Sequence, residues 1–352
     1  MATSQPKTSV DDHDQTSMVT SQPKTSVDEV DHDQTSMATS QPKTSVDEVD
    51  QDQTKSSIAK LPKEKWWADT HLLQFKGFWL MPELVKAVEA IKTQFNPLPT
   101  DIILASFPKS GTTWLKALTF SILNLSNSSN QLVLTQKNPH EIIPFLEMET
   151  FGENPSRKVD DLNSPRIFNT HLPYPILSDK IKTSGCRIIY IRRNPADTFV
   201  SLWHFYNKIL GTQVSLEQAF DEFCRGCVPG GPFFEHVLGY WQEREKKNIF
   251  LLKYEELKKD PTELVGKLAD FLGCSLNFEE IQEVVSKCSF DKLRMSNGNR
   301  DEADDNIHWT GASFDSFFRQ GVVGDSKNYL TTEMVQKLDL ITNQMWDLEG
   351  LI

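Results

Sequence analysis

No apolar run in this chain of 352 residues approaches the roughly 20 needed to cross a bilayer, and no hydrophobic signal core follows the first methionine. Cysteine is scarce. Its five members, Cys186, Cys224, Cys227, Cys274 and Cys288, follow no framework spacing, which excludes a disulfide scaffold and predicts a reducing, cytoplasmic setting. Cys224-Arg-Gly-Cys227 lacks the second pair that a zinc site needs and runs into Val228-Pro-Gly-Gly-Pro232, so it reads as a loop. A basic excess is also missing, with 37 Lys and Arg against 49 Asp and Glu and a net charge of −12. That balance argues against a nucleic-acid surface and against a polybasic membrane patch, leaving room for a local basic pocket.

Aromatic residues are absent until Trp66. Ahead of it, residues 1–57 hold three near-copies of Thr-Ser-Gln-Pro-Lys-Thr-Ser-Val-Asp, starting at Thr3, Thr20 and Thr39. This stretch carries 11 Asp and Glu against four Lys, so −7 of the total −12 sits there. Such a segment buries too little apolar surface to offset its ordering entropy, and it is expected to be a disordered acidic tail. The copies carry no repeating hydrophobic face, which excludes a solenoid. Residues 58–352 then have the size of one α/β domain with a full core.

The most informative stretch of that domain is Phe107-Pro-Lys-Ser-Gly-Thr-Thr-Trp114. The apolar run Ile102–Ser106 before it predicts a buried strand, and Leu115–Leu125 after it predicts a helix. Strand, Gly/Ser/Thr loop and helix in that order build an anion seat, in which loop N–H groups converge and the helix N-terminus adds partial positive charge. Lys109 supplies a full charge, while Ser110, Thr112 and Thr113 offer hydroxyls. The nucleoside-triphosphate loop places its lysine after the last glycine, whereas Lys109 precedes Gly111, which points away from kinases and ATPases.

A second strand signal, Cys186–Ile191, runs into Arg192-Arg193-Asn194-Pro195. Asn-Pro stops the strand, and a helix is expected from Ala196 through Phe205, carrying Ser201. Where a nucleoside triphosphatase would place an aspartate for magnesium, this strand ends in arginines, so the site is expected to neutralise anions without a metal. Arg193 and Ser201, eight residues apart, can converge on one phosphate from a strand end and a helix face. A third element, Phe317–Asp325, has glycines that let backbone N–H groups approach an oxyanion.

Together these stretches resemble the plant-type soluble sulfotransferases, and the resemblance runs from about Leu61 to the C-terminus. It implies a single α/β domain, with a central parallel sheet flanked by helices and a P-loop-like strand–loop–helix that holds the phosphosulfate. The implied activity is sulfuryl transfer from 3′-phosphoadenosine 5′-phosphosulfate (PAPS) to a hydroxyl of a small apolar acceptor such as a flavonoid or a brassinosteroid. In that frame Lys109, Ser110, Gly111, Thr112, Thr113 and Trp114 hold the 5′ end, while Arg193 and Ser201 bind the 3′-phosphate. Tyr254 contacts adenine, and Trp114 and Phe290 sandwich it. Arg319, Gln320 and Gly321 match an Arg-Lys-Gly pattern in which Gln320 replaces the lysine, and Ser326 stands where a tryptophan is usual.

A proton must also leave the acceptor hydroxyl, and histidine does this most easily near neutral pH. His171 lies in Ile167-Phe-Asn-Thr-His-Leu-Pro173, where an apolar strand delivers it to a turn, and the family's catalytic histidine has this setting. The resemblance implies that His171 is the base, that Lys109 stabilises the leaving oxygen, and that Ser201 restrains Lys109 until acceptor binds. Phe78, Trp79, Phe145, Tyr174, Trp203 and Phe205 are candidates to line the acceptor site. The animal dimer motif is only half matched, by Lys327 and Thr331, so a monomer or weak homodimer is expected. Two other classes remain open at this point: a non-catalytic PAPS or adenosine-bisphosphate binder, and a nucleotide kinase.

Overall fold

The computed structural model of the protein describes residues 58–125, 133–298, 313–346 and 350–351. All of them belong to one compact unit, Asp52–Ile352. The repeats of 1–57, and with them the expected disordered tail, lie outside the described residues.

Four strands form a parallel sheet: β4 (Ile102–Ser106), β5 (Ile167–Thr170), β6 (Arg187–Arg192) and β7 (Ile249–Lys253), in the order β5-β4-β6-β7. β4 and β6 are apolar along both faces because helices cover both sides of a parallel sheet, whereas β5 also buries the polar Asn169 and Thr170. Ile102 and Leu104 pack into one buried cluster with Leu115 and Leu118, while Ile103 and Ala105 pack into the other with Phe168 and Phe199. Fully burying one such aliphatic side chain contributes about 1.5–3 kcal/mol. The strand runs were readable; β6 is shifted by one residue and the Thr112–Leu123 helix begins three residues early, at the loop's own threonines.

Because the four strands are parallel, their carboxyl ends share one edge of the sheet, where ligands bind in open α/β folds. The register decides who meets whom there. Ala105 pairs with Thr170, so the next step sets Ser106 beside His171. Arg192 pairs with Lys253, so the next step sets Arg193 beside Tyr254.

A separate antiparallel sheet of β1 (Lys63–Lys65), β2 (His71–Phe75) and β3 (Phe78–Leu80) was not foreseen. Its edge holds the Gly-rich loop: Trp79 N–H donates to Gly231 (2.7 Å), and Gly230 N–H donates to Trp79 (2.8 Å). Cys224 and Cys227 beside that loop are free, and burial pushes both thiols up to about 11. They stay protonated at neutral pH, and Cys224 ends the Leu216–Cys224 helix rather than lying in a loop as the sequence predicted.

Candidate active site

The loop after β4 is bent by two residues in the left-handed region, Lys109 at φ 68° and Gly111 at φ 116°. A β-carbon on Gly111 would lie 2.9 Å from the Tyr254 ring and 3.0 Å from Ile191, so only glycine fits. Lys109 has no such freedom, and holding a lysine there stores on the order of 1–3 kcal/mol of strain. The fold bears this because the turn aims successive N–H groups and the start of the Thr112–Leu123 helix at one point. Ser110 is fully buried, and its hydroxyl has no partner. The Trp114 indole N–H is likewise buried and unpaired, and its ring meets Tyr254 edge-on at 5.7 Å. Unpaired buried donors beside a strained loop suit an anionic ligand that completes them.

Every position predicted to bind the nucleotide or to act as base, except the fully buried Ser110, lines one cavity at this sheet edge. On its far side Arg193, buried at the end of β6, lies over the Tyr254 ring at 4.6 Å and donates to the Val322 carbonyl at 2.9 Å. Its neighbour Arg192 faces the other way, toward Trp241 and Trp346, as strand alternation requires. The helix that follows spans Pro195–Leu210, longer than expected at both ends, and Asn194 caps it by accepting from the Ala196 and Asp197 N–H groups. Ser201 lies on its second turn and lines the cavity.

Asp197, which the sequence reading missed, ties this side together. Its carboxylate is 3.7 Å from Arg193 and accepts from the Gly324 and Ser326 N–H groups at 2.7 and 2.9 Å. Arg319 pairs with Asp325 at 2.5 Å. Gly321 packs so closely on Phe290 that a β-carbon would sit 2.4 Å from the ring. Gln320 lines the cavity from an exposed position.

His171 follows β5 and sits half-buried in the cavity wall, as the strand-end motif predicts. Its Nδ1 lies 2.7 Å from the Ser106 carbonyl, which can only accept, so Nδ1 carries the proton and Nε2 keeps a lone pair. Desolvation pushes the imidazole down to about 3, against the Ser106 hydrogen bond and with help from Lys116. The ring is therefore neutral throughout the neutral range. Lys109 is pulled down to about 7 by desolvation and by Arg193, Arg319 and Lys208. Its ammonium lies 4.0 Å over Phe205 and 5.3 Å over Phe317. No hydrogen bond joins it to Ser201 among the described residues; its ammonium rests on the aromatic faces of Phe205 and Phe317.

Of the six apolar candidates for the acceptor site, Phe145 and Phe205 line the cavity. Phe78 and Tyr174 belong to the core, and Trp79 and Trp203 pack against it. Phe317 and Tyr206 take their place. His140 is also in the wall, stacked on Phe317 at 4.1 Å. Lys116 donates to His140 Nδ1 at 3.2 Å and to the Ile143 carbonyl at 2.9 Å, which leaves His140 Nε2–H to donate to the Thr113 hydroxyl at 2.9 Å. The signal for His140 was present in Asn138-Pro-His-Glu141, a capping box that sets the ring's position. Cys288 is fully buried against Ser121 and does not line the cavity.

Comparison with known proteins extends this picture. A family model described as the sulfotransferase domain matches residues 99–348. Cytosolic sulfotransferase 8 of Arabidopsis thaliana is 40% identical over 309 residues, which cover 84% of this chain and 92% of that protein. Cytosolic sulfotransferase 15 of the same plant is 38% identical over 312 residues, covering 83% and 84%. Among solved structures, an Arabidopsis thaliana protein provisionally named a steroid sulphotransferase superposes with a TM-score of 0.68 at 33% identity, over 89% of this chain and 99% of that one. A mouse sulfotransferase complexed with PAP superposes with a TM-score of 0.64 at 27% identity, over 78% and 94%.

Proposed function

This chain belongs to the sulfotransferase family and is of the plant type, and on that premise we propose that it moves the sulfuryl group of PAPS to a hydroxyl of a small apolar acceptor, with His171 as general base. The observation that carries the reading is the tautomer of His171: Nδ1–H is committed to the Ser106 carbonyl, which leaves Nε2 to take a proton inside the cavity that the phosphate loop also lines.

PAPS supplies the activated sulfuryl group and an anionic leaving group. The residues present fit it: Ser110 Oγ and the Trp114 N–H await partners, and Lys109, Arg193 and Arg319 bring positive charge to one cavity. Lys109, with Ser110 through Trp114, would hold the 5′ end, and Arg193, Ser201, Arg319, Gln320 and Gly321 the 3′-phosphate. Trp114, Tyr254 and Phe290 would enclose the base, where ring faces favour stacking. Lys109 would leave its aromatic rest and stabilise the bridging oxygen as charge develops there. His171 would accept the hydroxyl proton at Nε2 while the acceptor lies against Phe145, Phe205, Phe317 and His140. Negative charge from the bound nucleotide raises the basicity of both Lys109 and His171 above their ligand-free values. An acceptor of flat, hydroxylated, flavonoid- or steroid-like shape suits a wall this rich in rings.

The test is transfer of label from radiolabelled PAPS to a pool of hydroxylated flavonoids, steroids and jasmonates, with His171→Ala beside the wild type. Labelled product from the wild type, reduced about 10²–10⁴-fold in the variant, is the expected result. Equal product from both would remove His171 from the chemistry. Saturable binding of adenosine 3′,5′-bisphosphate without any product would point to an acceptor outside the pool or to a binding protein.

A further inference from the structure

His171 stands just past the end of β5, where the ladder with β4 has run out, so its own peptide groups need partners from elsewhere. Two side chains from distant elements provide them. Glu147, in a single π-helical turn at Leu146–Thr150, accepts the His171 N–H on Oε1 at 2.7 Å. His236, in the Phe233–Trp241 helix, meets the His171 carbonyl with Nε2 at 3.1 Å. A carbonyl cannot donate, so His236 Nε2 carries the proton, and the Tyr190 hydroxyl at 3.0 Å donates to His236 Nδ1 and holds that tautomer.

Both groups are costly where they are. Glu147 is 1% exposed and His236 fully buried, and burial pushes the Glu147 carboxyl up to about 7, against its hydrogen bonds from the His171 N–H and the Thr170 hydroxyl. A buried carboxyl contributes little as packing, since an apolar side chain of similar volume would serve as well there. What it does contribute is an acceptor fixed at one peptide N–H. Isolated π turns of this kind occur mainly where a side chain must be aimed. The adjoining peptide is held in the same way, with the Tyr240 hydroxyl donating to the Leu172 carbonyl at 2.8 Å.

We propose that Glu147 and His236 are positioning residues that clamp the His171 peptide from its two sides, so that Nδ1–H stays on the Ser106 carbonyl and Nε2 stays presented to the acceptor. The inference rests on the reading of His171 as base. It makes the geometry of that base depend on a buried carboxylate and a second histidine that touch neither nucleotide nor acceptor. A displacement of about 1 Å in such a group is enough to cost about 100-fold in rate.

The experiment uses the full-length chain labelled with ¹⁵N-histidine and saturated with adenosine 3′,5′-bisphosphate. The His171 imidazole signal is identified by its loss in His171→Ala. Wild type is expected to show the neutral Nδ1–H tautomer. Glu147→Met should lose that signature, and lower label transfer to the acceptor pool about 30- to 100-fold while nucleotide affinity stays within about twofold. Glu147→Gln keeps an acceptor oxygen and should restore both readouts. Should Glu147→Met not fold, Glu147→Asp keeps the charge, withdraws the acceptor by one methylene, and should move both readouts in the same direction. His236→Phe should behave like Glu147→Met, and His236→Gln, which keeps an N–H donor, should rescue it. An unchanged tautomer with transfer within about threefold of wild type in Glu147→Met or Glu147→Asp overturns the clamp, as does a loss of nucleotide affinity in step with rate. If His171→Ala transfers label normally, the base reading falls instead, and the tautomer signal still decides whether the clamp exists.

Discussion

The two ends of the cavity, which we propose take the 5′ and the 3′ phosphates of the nucleotide, are built on opposite principles. At the 5′ end the loop 107–114 comes from one continuous stretch, holds its backbone in a strained turn, and leaves Ser110 Oγ without a partner and the Lys109 ammonium on aromatic rings. At the 3′ end the cations come from separate elements, and acids already brace them: Arg193 by Asp197, Arg319 by Asp325. The first end presents donors that no group among the described residues satisfies, and the second commits part of its positive charge to its own carboxylates. Recognition at the 5′ end therefore depends on backbone conformation, and at the 3′ end on the loop that Asp197 holds through the Gly324 and Ser326 N–H groups.

That contrast can be broken most severely at Gly111. Gly111→Ala forces a β-carbon against Tyr254 in a backbone region that disfavours it, and should weaken adenosine 3′,5′-bisphosphate about 100-fold or more by calorimetry. An affinity close to wild type would mean that the loop relaxes freely. The 3′ end should respond selectively. Asp197→Asn cannot accept from both N–H groups with equal strength, and should weaken adenosine 3′,5′-bisphosphate about tenfold while leaving adenosine 5′-phosphate nearly unchanged. Equal losses for the two nucleotides would show that the ends are not independent.

A pH series separates them further. Lys109 titrates near 7 in the free protein, below its ordinary range, so above that pH it is mostly neutral and must take up a proton to pair with an anion. Nucleotide affinity should therefore fall as pH rises from 7 to 9, by up to about tenfold per unit, with proton uptake visible as a buffer-dependent binding enthalpy. Lys109→Met should flatten the slope; an unchanged slope would assign the proton to another group. The smallest effect belongs to Gln320, which lines the cavity from an exposed position. Gln320→Lys should tighten adenosine 3′,5′-bisphosphate by about three- to tenfold if a side chain acts there. No change would mean that only the backbone N–H of residue 320 contributes.

Legibility followed the same division. The 5′ loop was readable because its strand, turn and helix are contiguous and each leaves a local pattern: an apolar run, glycine and hydroxyl residues, then helical spacing. Arg193 and His171 were readable for the same reason, since each closes an apolar strand. Asp197, Ser106 and Phe317 were not singled out. Each gains its place from a residue tens of positions away or on another element, and no periodicity reports such a pairing. Phe78, Trp79, Tyr174 and Trp203 show the converse: aromatic character alone does not say whether a ring faces the core or a cavity.

The sequence by itself determined the strands that alternate into two cores, the anion loop and the family to which the chain belongs, because those properties are written within ten or so residues of one another. Tertiary structure decided the rest. Parallel register placed the Ser106 carbonyl on His171 Nδ1 and so chose the lone pair that faces the cavity. Helix packing and long-range pairing brought Glu147 and His236 to one peptide from 24 and 65 residues away. Only a folded chain closes loops of that length around a single residue, and only there does burial turn an ordinary carboxylate or imidazole into a positioned one.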